Sequence, residues 1–197
     1  MGFLDEYCTF RSFSKNILSK CDIFNCGKDD LNEFFAKDCD NYSNELMGKT
    51  YCFTLDKEPD KIVCLFTISN DSIKAGLLPH PIKNKINRPI PNPKRMRSYP
   101  AVLIGRLGVN KEFQRKGIGK ELMDFIKSWF IDAGNKTGCR FLVVDSYNEV
   151  IAIDYYVKNE FQFLFENEED ERIYTGITTQ LPLHTRLMYF DLIILRK

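Results

Sequence analysis

The sequence predicts a single α/β domain spanning residues 1–197, a mixed β-sheet in one layer with helices on its faces. Three observations predict it. Thr50–Leu55 and Ile62–Ser69 are rich in β-branched and aromatic residues and flank the polar, proline-bearing segment Asp56–Asp60, the pattern of a hairpin. The second half then alternates strand-like and helix-like runs, which argues strands in a sheet with crossover helices. Finally, 197 residues suit one domain, and a composition 44% hydrophobic and 13% aromatic supplies a core without staples and excludes disorder over most of the chain.

Taken in order, Cys8–Phe13 reads as a short strand. Leu31, Phe34 and Phe35 recur at i, i+3, i+4 and mark one face of a helix that Asp29 or Asp30 is placed to cap. Its pattern fades near Asn41–Asn44. From Ile73 to Pro100, at about residues 70–100, six of the eight prolines gather with basic residues, among them Lys83, Lys85, Arg88, Lys94, Arg95 and Arg97. Proline at that density disfavours helix and central strand, so the segment reads as an inserted extended loop carrying a basic patch, either functional or simply solvated. Ala101–Val109 is apolar on both faces, as a central strand is. After the polar turn Asn110–Lys116 a long amphipathic helix begins near Gly117. Ile118, Leu122, Phe125, Ile126, Trp129, Phe130 and Ala133 form its stripe, and Gly134-Asn135 stops it. Phe141–Val144 is a buried strand, Val150–Lys158 a short helix and Phe161–Phe165 a strand. An acidic loop, Glu166–Arg172, follows, and Leu187–Leu195 is an apolar closing strand.

Charge and cysteine usage narrow the function classes. Twenty-eight basic and 27 acidic residues leave a net charge of +1, so no global field draws the chain to nucleic acid or membrane, and such a partner must be met by a local patch. No run approaches the ~20 apolar residues that span a bilayer, and Met1–Glu6 lacks the features of a signal peptide. The seven cysteines contain no C-x-x-C, and His80 and His184 are far in sequence from any close cysteine pair. No metal site is expected; reduced thiols in a cytoplasmic protein are.

The segment with chemistry in it is strand, then Gln114-Arg115-Lys116-Gly117-Ile118-Gly119-Lys120, then helix. Glycines at 117 and 119 let a ligand approach the backbone, the first helical N–H groups lack intrahelical partners, and Arg115, Lys116 and Lys120 add positive charge. Such a turn suits a diphosphate; it is equally the start of a glycine-lined helix behind a solvated basic turn. A P-loop is excluded, because Gln114 stands where its first glycine belongs and Glu121 follows Lys120. The dinucleotide fingerprint fails for want of a third glycine.

Gly105-Arg106-Leu107-Gly108-Val109, followed by Gln114–Gly119 and the long helix, resembles the acetyl-CoA-binding segment of the GNAT N-acetyltransferases, whose pattern is Q/R-x-x-G-x-G/A. Downstream, Ala152–Phe161 is similar to that family's A-x-x-F-Y-x-K-x-G-F, and Thr185–Phe190 to its last strand. The resemblance implies the GNAT acyl-CoA N-acyltransferase fold, with a central, mostly antiparallel sheet. It also implies acetyl-CoA as cosubstrate and direct attack of a primary amine on the thioester. Leu107, Gly108 and Val109 would then offer backbone groups to the pantetheine arm and thioester carbonyl. Gln114, Arg115, Lys116, Gly117, Ile118, Gly119 and Lys120 would hold the diphosphate, Asn148 would contact coenzyme A, and Tyr156 would be the general acid that protonates the departing thiolate. Tyr155 matches an aromatic packing position.

The chain departs from that pattern in two places. Glu160 replaces a usual glycine. The central strand, where many relatives place a glutamate base, carries Arg106 and no acid, so either the amine arrives already largely neutral or water, Asp145 or Glu149 takes its proton. The acceptor stays open between a small molecule, a protein amine and an aminoacyl-tRNA. Phe24-x-Cys26-Gly27-x-x-x-Leu31-x-x-Phe34 resembles the N-terminal motif of a GNAT branch that includes toxins acetylating aminoacyl-tRNA, and the Lys83–Arg97 stretch could suit an RNA backbone. A non-catalytic acyl-CoA-binding module on the same fold is the alternative of another class. No membrane partner is expected, and a homodimer is left open.

Overall fold

The computed structural model describes residues 2–91, 96–135, 137–178, 180 and 182–196. Its elements are α1 (Phe3–Tyr7), β1 (Cys8–Ser12), α2 (Lys15–Leu18), α3 (Asp29–Glu33), a π-helical turn Phe34–Asp38, α4 (Cys39–Asn44), β2 (Lys49–Leu55) and β3 (Ile62–Ile73). There follow α5 (His80–Asn87), β4 (Tyr99–Val109), α6 (Ile118–Ile131), β5 (Phe141–Tyr147), α7 (Val150–Lys158), β6 (Gln162–Phe163), α8 (Glu168–Thr175) and β7 (Thr185–Asp191). The strands form one sheet in the order β1-β2-β3-β4-β5-β7-β6. The expected α/β class, a mostly antiparallel sheet with helices, is what the chain adopts. The chain divides into two compact units, Met1–Asn70 with Ile104–Trp129, and Asp71–Leu103 with Phe130–Lys197.

In the first unit β1, β2 and β3 form an antiparallel meander, with Cys8 opposite Leu55 and Cys52 opposite Leu65. The two-residue side-chain period sorts its apolar residues onto two faces. Cys52 and Leu65 join Phe13, Phe24, Phe34, Phe35, Cys39 and Ile62 in one core cluster. Their neighbours Tyr51 and Phe66 point the other way and meet Trp129 of α6 at ring-centroid distances of 4.8 and 6.2 Å, while Phe53 meets Phe125 at 5.0 Å. The i, i+4, i+8 stripe of α6 is what buries Ile118, Leu122 and Ile126 at 3%, 0% and 0% exposure, so the sequence periodicity and the packed face coincide. At the other end of β3, Asn110 locks the exit of β4: its N–H donates to the Val63 carbonyl and its Nδ2 to the Ile62 carbonyl.

In the second unit the first part of β4 runs parallel to β5 from Ala101↔Phe141 to Leu103↔Val143. β7 lies antiparallel to β5 along seven residue pairs, from Phe141↔Asp191 to Tyr147↔Thr185. Tyr99, Ala101, Phe141, Val143, Phe165 and Tyr189 are in its core. Glu171 of α8 is buried and accepts from Arg186 Nε at 2.8 Å and from the Leu187 N–H, and Arg186 also donates to the Phe165 carbonyl at 3.0 Å. The pair is thus satisfied on both sides, the condition under which a buried ion pair is tolerated.

Five expectations are corrected. Ile73–Pro100 is not one extended loop: it contains α5. Pro79 sits just outside that helix and Pro81 within its first turn, where a missing N–H breaks no intrahelical bond, and Ile86 drops into the second unit's core. Lys94 and Arg95 of the expected basic patch lie outside the described residues. The acidic Glu166–Arg172 segment is not a loop but the start of α8. Asn167 caps it by accepting from the Asp170 N–H at 2.8 Å, and four carboxylates fill its first turn, where the helix dipole favours them. The last strand ends at Asp191 and continues as a 3₁₀ turn, Leu192–Arg196. Of Phe161–Phe165, only Gln162 and Phe163 pair, with Tyr189 and Met188. Nor do Asp29 and Asp30 cap α3: both lie inside it, and Lys28 occupies the cap position.

Replacing Leu122, which is fully buried, with alanine is expected to lower unfolding stability by about 2–5 kcal/mol, measured by denaturant titration.

Candidate active site

The strand–turn–helix of the first unit is built around a backbone that only its sequence tolerates. After Asn110 comes a 3₁₀ turn, Lys111–Phe113, and then a loop in which Arg115 has φ +59° and Gly117 φ +84°. A Cβ on Gly117 would meet nothing within 4 Å, so glycine is needed there for its φ and not for space. Residues 114–117 are exposed, and Ile118 turns into the core. The Gly117 carbonyl accepts from the Lys120 and Glu121 N–H groups, which opens α6. Among the described residues, no protein group accepts from the N–H groups of Arg115, Lys116, Gly117 or Ile118. Four consecutive amides at a helix start, with two cationic side chains among them, suit a polyanion.

One side chain expected at a ligand instead holds this turn in shape. Gln114 Nε2 donates to the Cys26 and Val109 carbonyls, both at 2.8 Å. Both of its amide hydrogens are thus spent on tying the 24–27 segment to the end of β4. Gly108 is buried, and a Cβ there would lie 3.1 Å from Cys26 Cβ and 3.2 Å from a Phe24 ring carbon. The Phe24–Phe34 motif therefore has a physical role. Phe24 and Cys26 pack on Gly108, Gly27 (φ +88°) turns the chain, Asn32 Oδ1 accepts from the Cys26 N–H at 2.9 Å, and Phe34 enters the core. Leu107 and Val109 are half-buried on the same strand. Lys120 pairs with Asp124 at 2.6 Å, one helical turn on.

In the second unit α7 carries Tyr156. Its ring lies edge-on to Tyr155 and Phe161 at 5.1 and 5.4 Å, and among the described residues its hydroxyl has no hydrogen-bond partner. Burial raises its pKa well above the ordinary phenol value, and the charges of Asp145 and Tyr147 raise it further, so the hydroxyl keeps its proton. Burial, and then the neighbouring Asp71, push the Asp145 carboxyl up. Asp71 is a neighbour that no sequence pattern announced. Asn148 Nδ2 donates to Glu168 Oε1 at 3.0 Å and to the Leu183 carbonyl at 2.9 Å. Its amide hydrogens thus lock a loop.

Thiols do not supply a nucleophile. Burial is the leading cause that pushes Cys8, Cys39 and Cys139 up to about 11 and Cys52 to about 12, and it raises Cys21, Cys26 and Cys64 as well. Among the described residues no group of three or more His, Cys, Asp or Glu side chains could hold a metal ion, and no helix is long and apolar enough to cross a membrane.

Residues 88–163, which include the turn and α7, match the family model for the acetyltransferase (GNAT) domain. Over that stretch the chain is similar to the GNAT acetyltransferases. A tRNA-acetylating toxin of Mycobacterium tuberculosis is 22% identical over 168 residues, 85% of each chain. Two solved structures share the fold. A KacT mutant aligns with a TM-score of 0.70 at 18% identity, covering 97% of this chain and 98% of that one. AtaT complexed with acetyl-methionyl-tRNAfMet aligns with a TM-score of 0.66 at 17% identity, covering 96% and 97%.

Asp145 yields a pH prediction. Its folded pKa is raised, so the folded state binds the proton more tightly than the unfolded chain, and stability falls as pH rises through the folded value. Because Asp145 as a whole is still exposed on β5, solvent screening keeps the effect small, and Asp145→Asn is expected to flatten slightly the decline of the melting temperature above pH ~4, read by calorimetry across pH.

Proposed function

We propose that this acetyltransferase takes its acetyl group from acetyl-CoA and delivers it to the α-amine of an aminoacyl-tRNA, working as one domain. The observation that carries the cosubstrate half is the run of four N–H groups from Arg115 to Ile118 that find no acceptor among the described residues, reinforced by Arg115 and Lys116. A coenzyme A diphosphate needs donors of that kind, and a helix start supplies them without reorganisation. The acceptor half rests on likeness to the toxins above and on cationic side chains, of which Lys83, Lys85 and Arg88 lie on or beside α5 and Arg97 just before β4.

The chemistry asked of the chain is modest. The amine lone pair forms the new C–N bond at the thioester carbonyl carbon, the electron pair moves onto oxygen, and its return breaks the C–S bond. Backbone N–H groups of Leu107–Val109 would steady the oxyanion. Tyr156 would give its proton to the departing thiolate; its raised pKa ensures that the proton is there to give, and its unpartnered hydroxyl leaves the donor uncommitted. Asp145, whose raised pKa makes it a better base than an ordinary aspartate, would relay the proton lost by the amine, directly or through water. Most of the acceleration would come from holding both substrates in register.

Tyr156→Phe is expected to lower kcat by ~10²–10⁴-fold while leaving acetyl-CoA affinity within a factor of about two, measured by thiol release and calorimetric titration. Unchanged turnover would remove Tyr156 as the acid. Gly117→Val, which forces a β-branched residue to φ +84°, is expected to weaken acetyl-CoA binding and to abolish the upward melting shift that the ligand gives the wild type. The acceptor is tested by incubating the enzyme and acetyl-CoA with aminoacylated and deacylated tRNA. Acetyl transfer to the aminoacylated form alone supports the reading; transfer to neither sinks it.

A further inference from the structure

Arg106 stands on β4 two residues before Gly108. Its guanidinium carbon lies 3.8 Å from the centroid of the Phe34 ring and 5.6 Å from that of Tyr42. Among the described residues it has neither a carboxylate partner nor a hydrogen bond, although it is half-buried. The aromatic faces meet its charge on one side, and its nitrogens, none of them a buried orphan, are open to solvent and to a ligand. The site is also built and not incidental. Phe34 is 7% exposed, the first residue of the π-helical turn Phe34–Asp38, and its ring also meets Phe35 and Tyr42 edge-on at 5.6 and 5.7 Å. Tyr42 is in turn pinned against Gly48, where a Cβ would come within 2.6 Å of its ring. The segment Phe24–Phe34 thus ends by placing a ring under a cation.

A guanidinium whose carbon sits over a ring offers a ligand two kinds of contact: a planar face on which a nucleobase stacks, and an N–H edge that fits a phosphate in bidentate fashion. We infer that Arg106, seated on Phe34 and Tyr42, is the acceptor platform of this enzyme, holding the unpaired 3′-terminal nucleotide that carries the aminoacyl group. This rests on the aminoacyl-tRNA reading above and adds the residue that enforces it. It accounts as well for the missing acid on the central strand. A carboxylate at position 106 would repel an acceptor whose amine arrives on a phosphodiester chain, whereas an arginine attracts it. Arg106 is a specificity residue in this account and takes no part in moving protons.

The test compares wild type, Arg106→Ala, Arg106→Lys and Phe34→Leu. Three quantities are read for each: acetyl-CoA affinity by calorimetry, and KM for aminoacylated tRNA and for a neutral amino acid ester as a minimal amine. Expected is a rise of about tenfold in KM for aminoacylated tRNA in Arg106→Ala, with the ester KM and the acetyl-CoA affinity unchanged. Arg106→Lys, which keeps the charge and loses the planar fork, should recover less than half of that loss. Phe34→Leu, which keeps the core filled, should move the same KM in the same direction. Equal KM for aminoacylated tRNA in wild type and Arg106→Ala overturns the platform, as does a parallel loss of acetyl-CoA affinity, which would make Arg106 a structural residue. Failure of the underlying acceptor reading is distinguishable: in that case the wild type itself transfers acetyl to the ester and not to aminoacylated tRNA.

Discussion

Everything the first unit presents to a ligand depends on how the chain leaves β4. Asn110 is sewn to β3 by its backbone N–H and its side-chain amide, and Gln114 is sewn to Val109 and Cys26. Between those anchors the backbone is driven into left-handed conformations at Arg115 and Gly117, an arrangement that persists only where flanking contacts over-determine it. Among the described residues, nothing accepts from the amides of 115–118. A ligand able to accept from them meets donors whose ordering cost was met on folding.

The same anchors connect two stretches far apart in sequence. Cys26 and Gln114 are 88 residues apart, yet the Cys26 carbonyl is one of the two acceptors that fix Gln114, and the Cys26 side chain presses on Gly108. Gly108 thus matters chiefly for close packing, a role that its place in a strand signals less clearly than its chemistry does. In the second unit Glu171 has a comparable role: one buried carboxylate gathers Arg186 and the Leu187 N–H and so ties α8 to β7.

Legibility in the sequence followed the physics of each element. The stripe of α6, the hairpin of β2 and β3 and the span of α7 were readable because a packed face imposes a period, and periods survive in one dimension. The helix inside the proline-rich segment was not, because proline's meaning depends on position within the first turn, which is not visible before the helix is known. The acidic run was misread for a related reason: carboxylates look solvated until an Asn167 cap puts them at a helix start. Residue types and order were enough to place the turn before α6 and to put Tyr156 on a helix. They did not reveal that Gln114 and Asn148 spend their amides on carbonyls and a carboxylate within the fold, since hydrogen-bond partners distant in sequence leave no local pattern.

The division of the chain has a bearing on its biosynthesis. The first unit needs Ile104–Trp129, and these residues leave the ribosome only after Asp71–Leu103, which belong to the other unit. An emerging polypeptide shorter than 129 residues therefore holds an unfinished meander whose aromatic side, Tyr51, Phe53 and Phe66, has no helix to cover it. Such topologies, rich in pairings distant along the chain, acquire their native form late and expose sticky intermediates on the way. Fragments cut anywhere before that point are accordingly poor starting material, and the two halves of this enzyme cannot be produced as separate continuous pieces.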